Sequence, residues 1–294
     1  MGFMTAAAPS NVNCREIEEA DLPSVIECLT WGFPGRSSAY WSRGLEALGK
    51  LPQIANFPRF GQLLEADGRI VGVLLQIFSR RGGGVDGQAR CNLSSWCVDP
   101  DYRTYAMVLH RRSVSRREAI FLNISPARHT LKTIEAFGFR RHAEGQLFFA
   151  PLLSRRGAGV RLIEYDDAVP EAALLPAHER QLLADHTRLG CRALIGIRQG
   201  TAIPFVLQWR TIWRGLPGAH VIYSRSEREL VDFAPALGSY CLRRGRLAVV
   251  VDANGPVRGL FGFFVGNREP RYFKGPEQPA PSDLAYTELV VLGR

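Results

Sequence analysis

A chain of 294 residues, 46% hydrophobic and 22% charged, has enough apolar material for one large or two modest cores, and two are expected. Its net charge of +9 is almost all arginine and evenly spread, with 18 basic against 14 acidic side chains in residues 1–153 and 19 against 14 in 154–294, which argues against a nucleic-acid partner. No apolar run approaches the roughly eighteen residues of a membrane span, and residues 1–10 have neither a basic start nor a long apolar core, so a cytoplasmic protein without a secretory signal is expected.

In chain order, residues 14–17 read as a strand, and 21–31 and 38–48 as helices. Residues 63–66 and 70–78 flank Asp67-Gly68, a two-residue sequence favoured in hairpin turns. The six cysteines include no Cys-x-x-Cys and are read as buried free thiols, with Cys91 and Cys97 on one face of a strand. Residues 92–98 form that strand. It stops at Asp99-Pro100 and feeds a helix over 102–117, in which Tyr105, Met107, Val108 and Leu109 precede Arg111, Arg112, Arg116 and Arg117. A strand that turns into a helix N-terminus presents free backbone N–H groups and the positive end of the helix dipole, which suits a pyrophosphate. Residues 119–125 follow as a second strand, broken by Pro126. A short helix over 128–137 carries Leu131, Ile134 and Phe137 on one face and closes on Phe137-Gly138-Phe139, and residues 139–150 are expected to supply two further strands.

Val98-x-Pro100-x-x-Arg103 opening a helix, a strand ending at Asn123 and a short helix closed by Phe-Gly-Phe together resemble the acyl-CoA-binding core of the GNAT N-acyltransferases. The resemblance covers about the first half of the chain. It implies that backbone at Cys97 and Val98 pairs with pantetheine, that Arg103, Thr104, Tyr105, Ala106, Met107 and Val108 hold the pyrophosphate, and that Asn123 bridges to the cofactor, acetyl-CoA or another acyl-CoA. It implies an amine or peptide acceptor.

The sequence departs from the family at three points. The family's loop carries glycines where backbone approaches phosphate, and 103–108 has none. The tyrosine that often protonates the thiolate would stand at Ile134. The carboxylate common on the central strand is absent, because Asn92, Ser94 and Ser95 are what that strand offers. Ser95, Ser125 and His129 are therefore the candidates for moving the proton, with proximity and carbonyl polarisation carrying catalysis. A catalytically silent acyl-CoA-binding protein and a transferase using aminoacyl-tRNA are the competing readings, and retention of Val98-x-Pro100-x-x-Arg103 argues against the second.

Residues 154–159, polar and glycine-rich, read as a linker, after which the pattern restarts. Residues 160–165 are a strand, followed by helix to Leu189 and a stop at Gly190. His178 and His186 are eight apart on that helix, too far for a shared metal on adjacent turns. Residues 191–197 and 203–209 make a hairpin, and 221–224 the next strand. Ser226-x-x-Glu229 is a capping box for a helix carrying Leu230, Phe233, Ala234, Leu237, Tyr240 and Cys241, with Pro235 kinking it or in its first turn. Residues 247–251 are a strand, 247–264 could equally be a hairpin around Asn254-Gly255, and 286–292 close the chain as a strand. The expected fold is thus α/β, a mixed sheet flanked by helices, in two GNAT-like domains at 1–153 and 160–294, the second a degenerate copy without a phosphate loop.

Overall fold

The computed structural model describes residues 11–82, 87–150, 153, 159–212 and 215–293. They divide into two compact units, one holding the residues up to Ser79 with Cys91–Arg117, the other Arg80–Arg90 with those from Glu118 onward.

In the first unit, β1 (Val12–Glu16) leads through a 3-10 turn, Glu19–Asp21, into α1 (Leu22–Gly32) and α2 (Ser38–Lys50). Arg15 pins this entry by bonding both Asp21 and Glu65. Ser37 caps α2 by accepting the Tyr40 N–H. The strands β2 (Gly61–Ala66), β3 (Arg69–Arg81) and β4 (Gln88–Val98) complete a sheet ordered β1-β2-β3-β4. Asp67 and Gly68, at φ 50° and 76°, form the expected tight turn, since both positions need left-handed backbone. Leu63, Leu64, Val71, Val73, Leu74, Leu75 and Ile77 are all buried, as in strands covered on both faces. After β4 the chain makes a 3-10 segment, Pro100–Tyr105, and then α3 (Ala106–Ser113). The helix read over 102–117 is therefore shorter and two-part. Its cationic end Arg116-Arg117 lies beyond the last turn.

In the second unit, β5 (Ile120–Asn123) precedes α4 (Leu131–Ala136) and β6 (Arg140–Phe149). The two strands expected over 139–150 are one strand. Gly145 makes no turn: it runs so close to β12 (Gly262–Lys274) that a Cβ would lie 2.2 Å from the Val265 carbonyl oxygen. Next come β7 (Val160–Glu164), α5 (Ala177–Arg188), the hairpin β8 (Arg192–Arg198) and β9 (Thr201–Ile212), β10 (Leu216–Ser224), α6 (Glu227–Leu242) and β11 (Ala248–Ala253). The order of this sheet is β5-β12-β6-β11-β10-β9-β8-β7.

Strands β10 and β11 are parallel, so α6 is their crossover helix, and Pro235 lies in its interior. Leu194, Phe205, Leu207, Val221 and Val251 pack with Leu230, Phe233 and Leu237 of α6, whereas the alternate residues Ile195, Val206 and Ile222 pack with Leu183 of α5. The two-residue period of the strands thus separates one core from the other.

β11 and β12 do not form a hairpin around Asn254-Gly255, because both pair with β6. The closing segment 286–292 is not a strand: Tyr286 is left-handed at φ 55°, Val290 and Val291 both donate to the Thr287 carbonyl, and Leu289–Gly293 is a π-helical turn. Among the described residues, no helix is long and apolar enough to cross a membrane.

Candidate active site

The β4–α3 junction is built by Asp99 and Pro100. The Asp99 N–H donates to the Val71 carbonyl at 2.8 Å, which ties the end of β4 to β3. Its carboxylate accepts the Asp101 N–H at 3.1 Å and pairs with Arg69 at 3.3 Å. Arg69 also lies over the Tyr102 ring, 5.8 Å from its centroid. Pro100 suits this first position, having no N–H to leave unpaired.

Of the residues read as the phosphate loop, Arg103, Thr104, Met107 and Val108 are exposed and Tyr105 and Ala106 half-buried. The Ala106 N–H already donates to the Arg103 carbonyl. Helical bonding begins as early as the Tyr102 N–H, which donates to the Asp99 carbonyl, and the exposed donors past it include the Arg103 guanidinium and the Thr104 hydroxyl. Both are chemically suited to a phosphate oxygen. Met107 and Val108, at 46% and 48% exposure, add apolar surface beside them. Leu109 turns inward with His110, whose ring meets Trp96 at 5.2 Å between centroids.

Upstream, Ser95 sits at φ 55°, a left-handed residue inside a strand, and its hydroxyl is 2.9 Å from that of Ser94. This breaks the two-residue alternation that would put Cys91 and Cys97 on one face. Cys91 is approached by the Gln76 amide, which also donates to Ser113 of α3, whereas Cys97 packs against α1. The Cys97 and Cys28 sulfurs are 3.9 Å apart. That contact, together with burial, pushes the Cys97 thiol well above its ordinary range and keeps it protonated, which suits a packing residue and not a nucleophile. Val98 fits because β3 has Gly72 opposite, where a Cβ would come 3.1 Å from a Val98 methyl. Cys28, Gly32 and Gly72 were not singled out from sequence, since their signal is close approach across the fold.

The remaining candidates belong to the second unit. Asn123 ends β5, half-buried, with Tyr272 as its register partner. The next carbonyl, of Ile124, accepts from the fully buried Arg271, whose guanidinium also bonds Asp252 at 2.9 Å. Burial raises the Asp252 carboxyl, but Arg271 and His220 outweigh it and hold the group below its usual range. The Ser125 hydroxyl donates to the Glu288 carboxylate. His129 is exposed on a 3-10 turn, Arg128–Thr130. Ile134 is fully buried, and Gly138, at φ 85°, lets the Phe139 N–H return to the Ile134 carbonyl at 3.1 Å. Glu288 and Arg271 lie outside every motif read from sequence.

No family model and no curated protein matches the chain. Solved structures do. A candidate acetyltransferase from Pyrococcus horikoshii superposes with a TM-score of 0.52 at 14% identity over 97% of this chain and 96% of its own. A GCN5-related N-acetyltransferase from Anabaena variabilis gives 0.60 at 10% identity over 90% and 72%, and one from Kribbella flavida 0.55 at 15% over 90% and 70%. The chain has the GCN5-related N-acetyltransferase fold. This GNAT likeness spans both compact units, beyond the half in which the sequence motifs lie.

Proposed function

We propose that the protein transfers an acyl group, acetyl in the first instance, from coenzyme A to an amine, as a tandem pair of GNAT-like domains at 1–153 and 160–294. The observation that carries this reading is the β4–α3 junction within a GNAT fold, with Arg103 and Thr104 exposed just past Pro100. Bound acyl-CoA would supply the activated thioester. Backbone at Cys97 and Val98 would align the pantetheine, Arg103 and Thr104 would bind the pyrophosphate with residues 105–108, and Asn123 would orient the acceptor. Ser125 is the proton-moving residue with a partner able to take the proton on, since its hydroxyl donates to Glu288. Ser95 and His129 remain alternatives.

One cofactor per chain is proposed, because the corresponding junction in the second unit is filled by acid. Ser226 accepts the Glu229 N–H at 3.2 Å, Glu227 and Glu229 occupy the first turn of α6, and Glu179 grips Arg225 through both oxygens. A phosphate there would meet carboxylates instead of free donors.

A second reading, a silent acyl-CoA binder, is favoured by the burial of Ile134 where the resemblance places a general acid. Thiol release from acetyl-CoA, measured against a panel of primary amines and N-terminal peptides, separates the two. Amine-dependent release that falls in Ser125→Ala supports transfer. Saturable CoA binding with no release for any amine supports the silent binder.

A further inference from the structure

The first unit holds a cavity of about 260 Å³ at the C-terminal end of α3, the opposite end of that helix from the proposed phosphate junction. Gln62 of β2 and Gln76 of β3, 3% and 1% exposed, line its buried part with Ser113. Glu16, Arg112 and Arg116, all exposed, stand at its rim.

Among the described residues, the Oε1 atoms of both glutamines are buried without a hydrogen-bond partner. For Gln76 the orientation is fixed, because its amide nitrogen donates to the Ser113 carbonyl at 2.8 Å and only the oxygen is left over. Leaving two amide carbonyls unpaired in one small cavity is costly, and natural folds keep such groups satisfied.

We propose that this cavity binds a small zwitterion carrying an ammonium and a carboxylate, of the α-amino acid class. An ammonium has three N–H donors and no acceptor. Gln76 Oε1 and the Glu16 carboxylate are acceptors without a competing donor role, and Gln62 Oε1 is a third acceptor. The carboxylate end matches Arg112 and Arg116, whose guanidiniums are suited to carboxylate geometry. A simple anion would face the two carbonyls and Glu16, and a simple cation would face the two arginines, so neither satisfies the whole lining. The volume lies below the about 300–1,000 Å³ of pockets for drug-sized ligands, which excludes a peptide or a nucleotide. This site is independent of the acyl-CoA reading, and its test contains no acyl-CoA.

The experiment titrates the full chain with each of the L-α-amino acids at millimolar concentration, followed by ligand-observed NMR and calorimetry. Their α-carboxamides, which lack the carboxylate, and N-acetyl derivatives, which lack the ammonium, serve as controls. The expected result is saturable binding of at least one amino acid, with affinity reduced about tenfold or more by either blocking group. Arg112→Gln with Arg116→Gln, both on exposed positions, should weaken binding about tenfold or more while leaving the melting temperature unchanged, and Gln62→Met should do likewise at equal folded fraction. The proposal is overturned if no amino acid binds, meaning the cavity holds water only, if blocked derivatives bind as well as free ones, or if the double arginine variant binds as wild type does.

Discussion

Gly32 and Cys97 show how a single residue sets the position of a whole helix. A Cβ at Gly32 would fall 2.6 Å from the Cys97 Cβ, an atom that cannot rotate away. Gly32→Ala should therefore cost about 1–3 kcal/mol by overpacking, and most of that cost should vanish when measured in a Cys97→Gly background. Equal costs in both backgrounds, from urea unfolding, would show that α1 does not lean on β4 in this way. The histidines give a second residue-scale prediction. Burial lowers the pKa of His142 to about 3 and of His186 to about 4, and lowers that of His220. In the unfolded chain an imidazole titrates near about 6.5, so below that pH the unfolded state binds more protons than the folded one. Stability is then complete above about pH 6.5 and declines as pH falls toward the folded values, by about 1–2 kcal/mol at pH 5 for each of His142 and His186. Melting temperature should drop steadily from pH 7 to 5. His142→Leu, at a ring whose two nitrogens have no hydrogen-bond partner among the described residues, should flatten that slope, and an unchanged slope would contradict its neutral burial. At this scale the sequence was partly legible: Cys97 read as a small packing residue, but nothing local linked Ser125 to Glu288 across 163 residues.

Among the elements, those with a clear period were legible and those fixed by distant pairing were not. Ser226 and Glu229 marked the start of α6, and Asp67-Gly68 marked the β2–β3 turn, because capping and left-handed backbone are local demands. Strand β12 was missed. Asn267 and Glu269 are left-handed within it, Pro270 follows, and its register against β6 shifts twice, so no alternation survives to be read. What holds it in place is Arg271, buried between Asp252 and the Ile124 carbonyl. Arg271→Met should cost about 3–5 kcal/mol, since it leaves the Asp252 charge buried without its main partner. Adding Asp252→Leu should recover a large part of the loss in the same denaturation measurement. If the double variant is no better than the single, packing around Arg271 and not charge compensation accounts for the cost.

For the molecule as a whole, the order of elements was the legible part: strand, helix (two in the first stretch, one in the second), antiparallel hairpin, strand, helix and strand occur from β1 to β5 and again from β7 to β11. Composition marks linkers, whereas hydrogen-bond pairing assigns strands to a sheet. The linker read at 154–159 lies outside the described residues apart from Gly159. β6, counted with the first half from sequence, lies between β11 and β12 in the second unit. The shared fold leaves the chemistry to the site, here a cofactor proposed to be held once per chain at the β4–α3 junction.

Calorimetric titration of the full chain with coenzyme A tests this most directly. One site per chain is expected, with the protein stabilised by about 2.7 kcal/mol at a hundredfold excess over Kd. Arg103→Glu, which sets a negative charge at an exposed position where the pyrophosphate would lie, should abolish both the heat and the stabilisation without lowering the melting temperature of the free protein. Absence of binding at millimolar coenzyme A, two equivalent sites, or binding that survives Arg103→Glu would contradict the account.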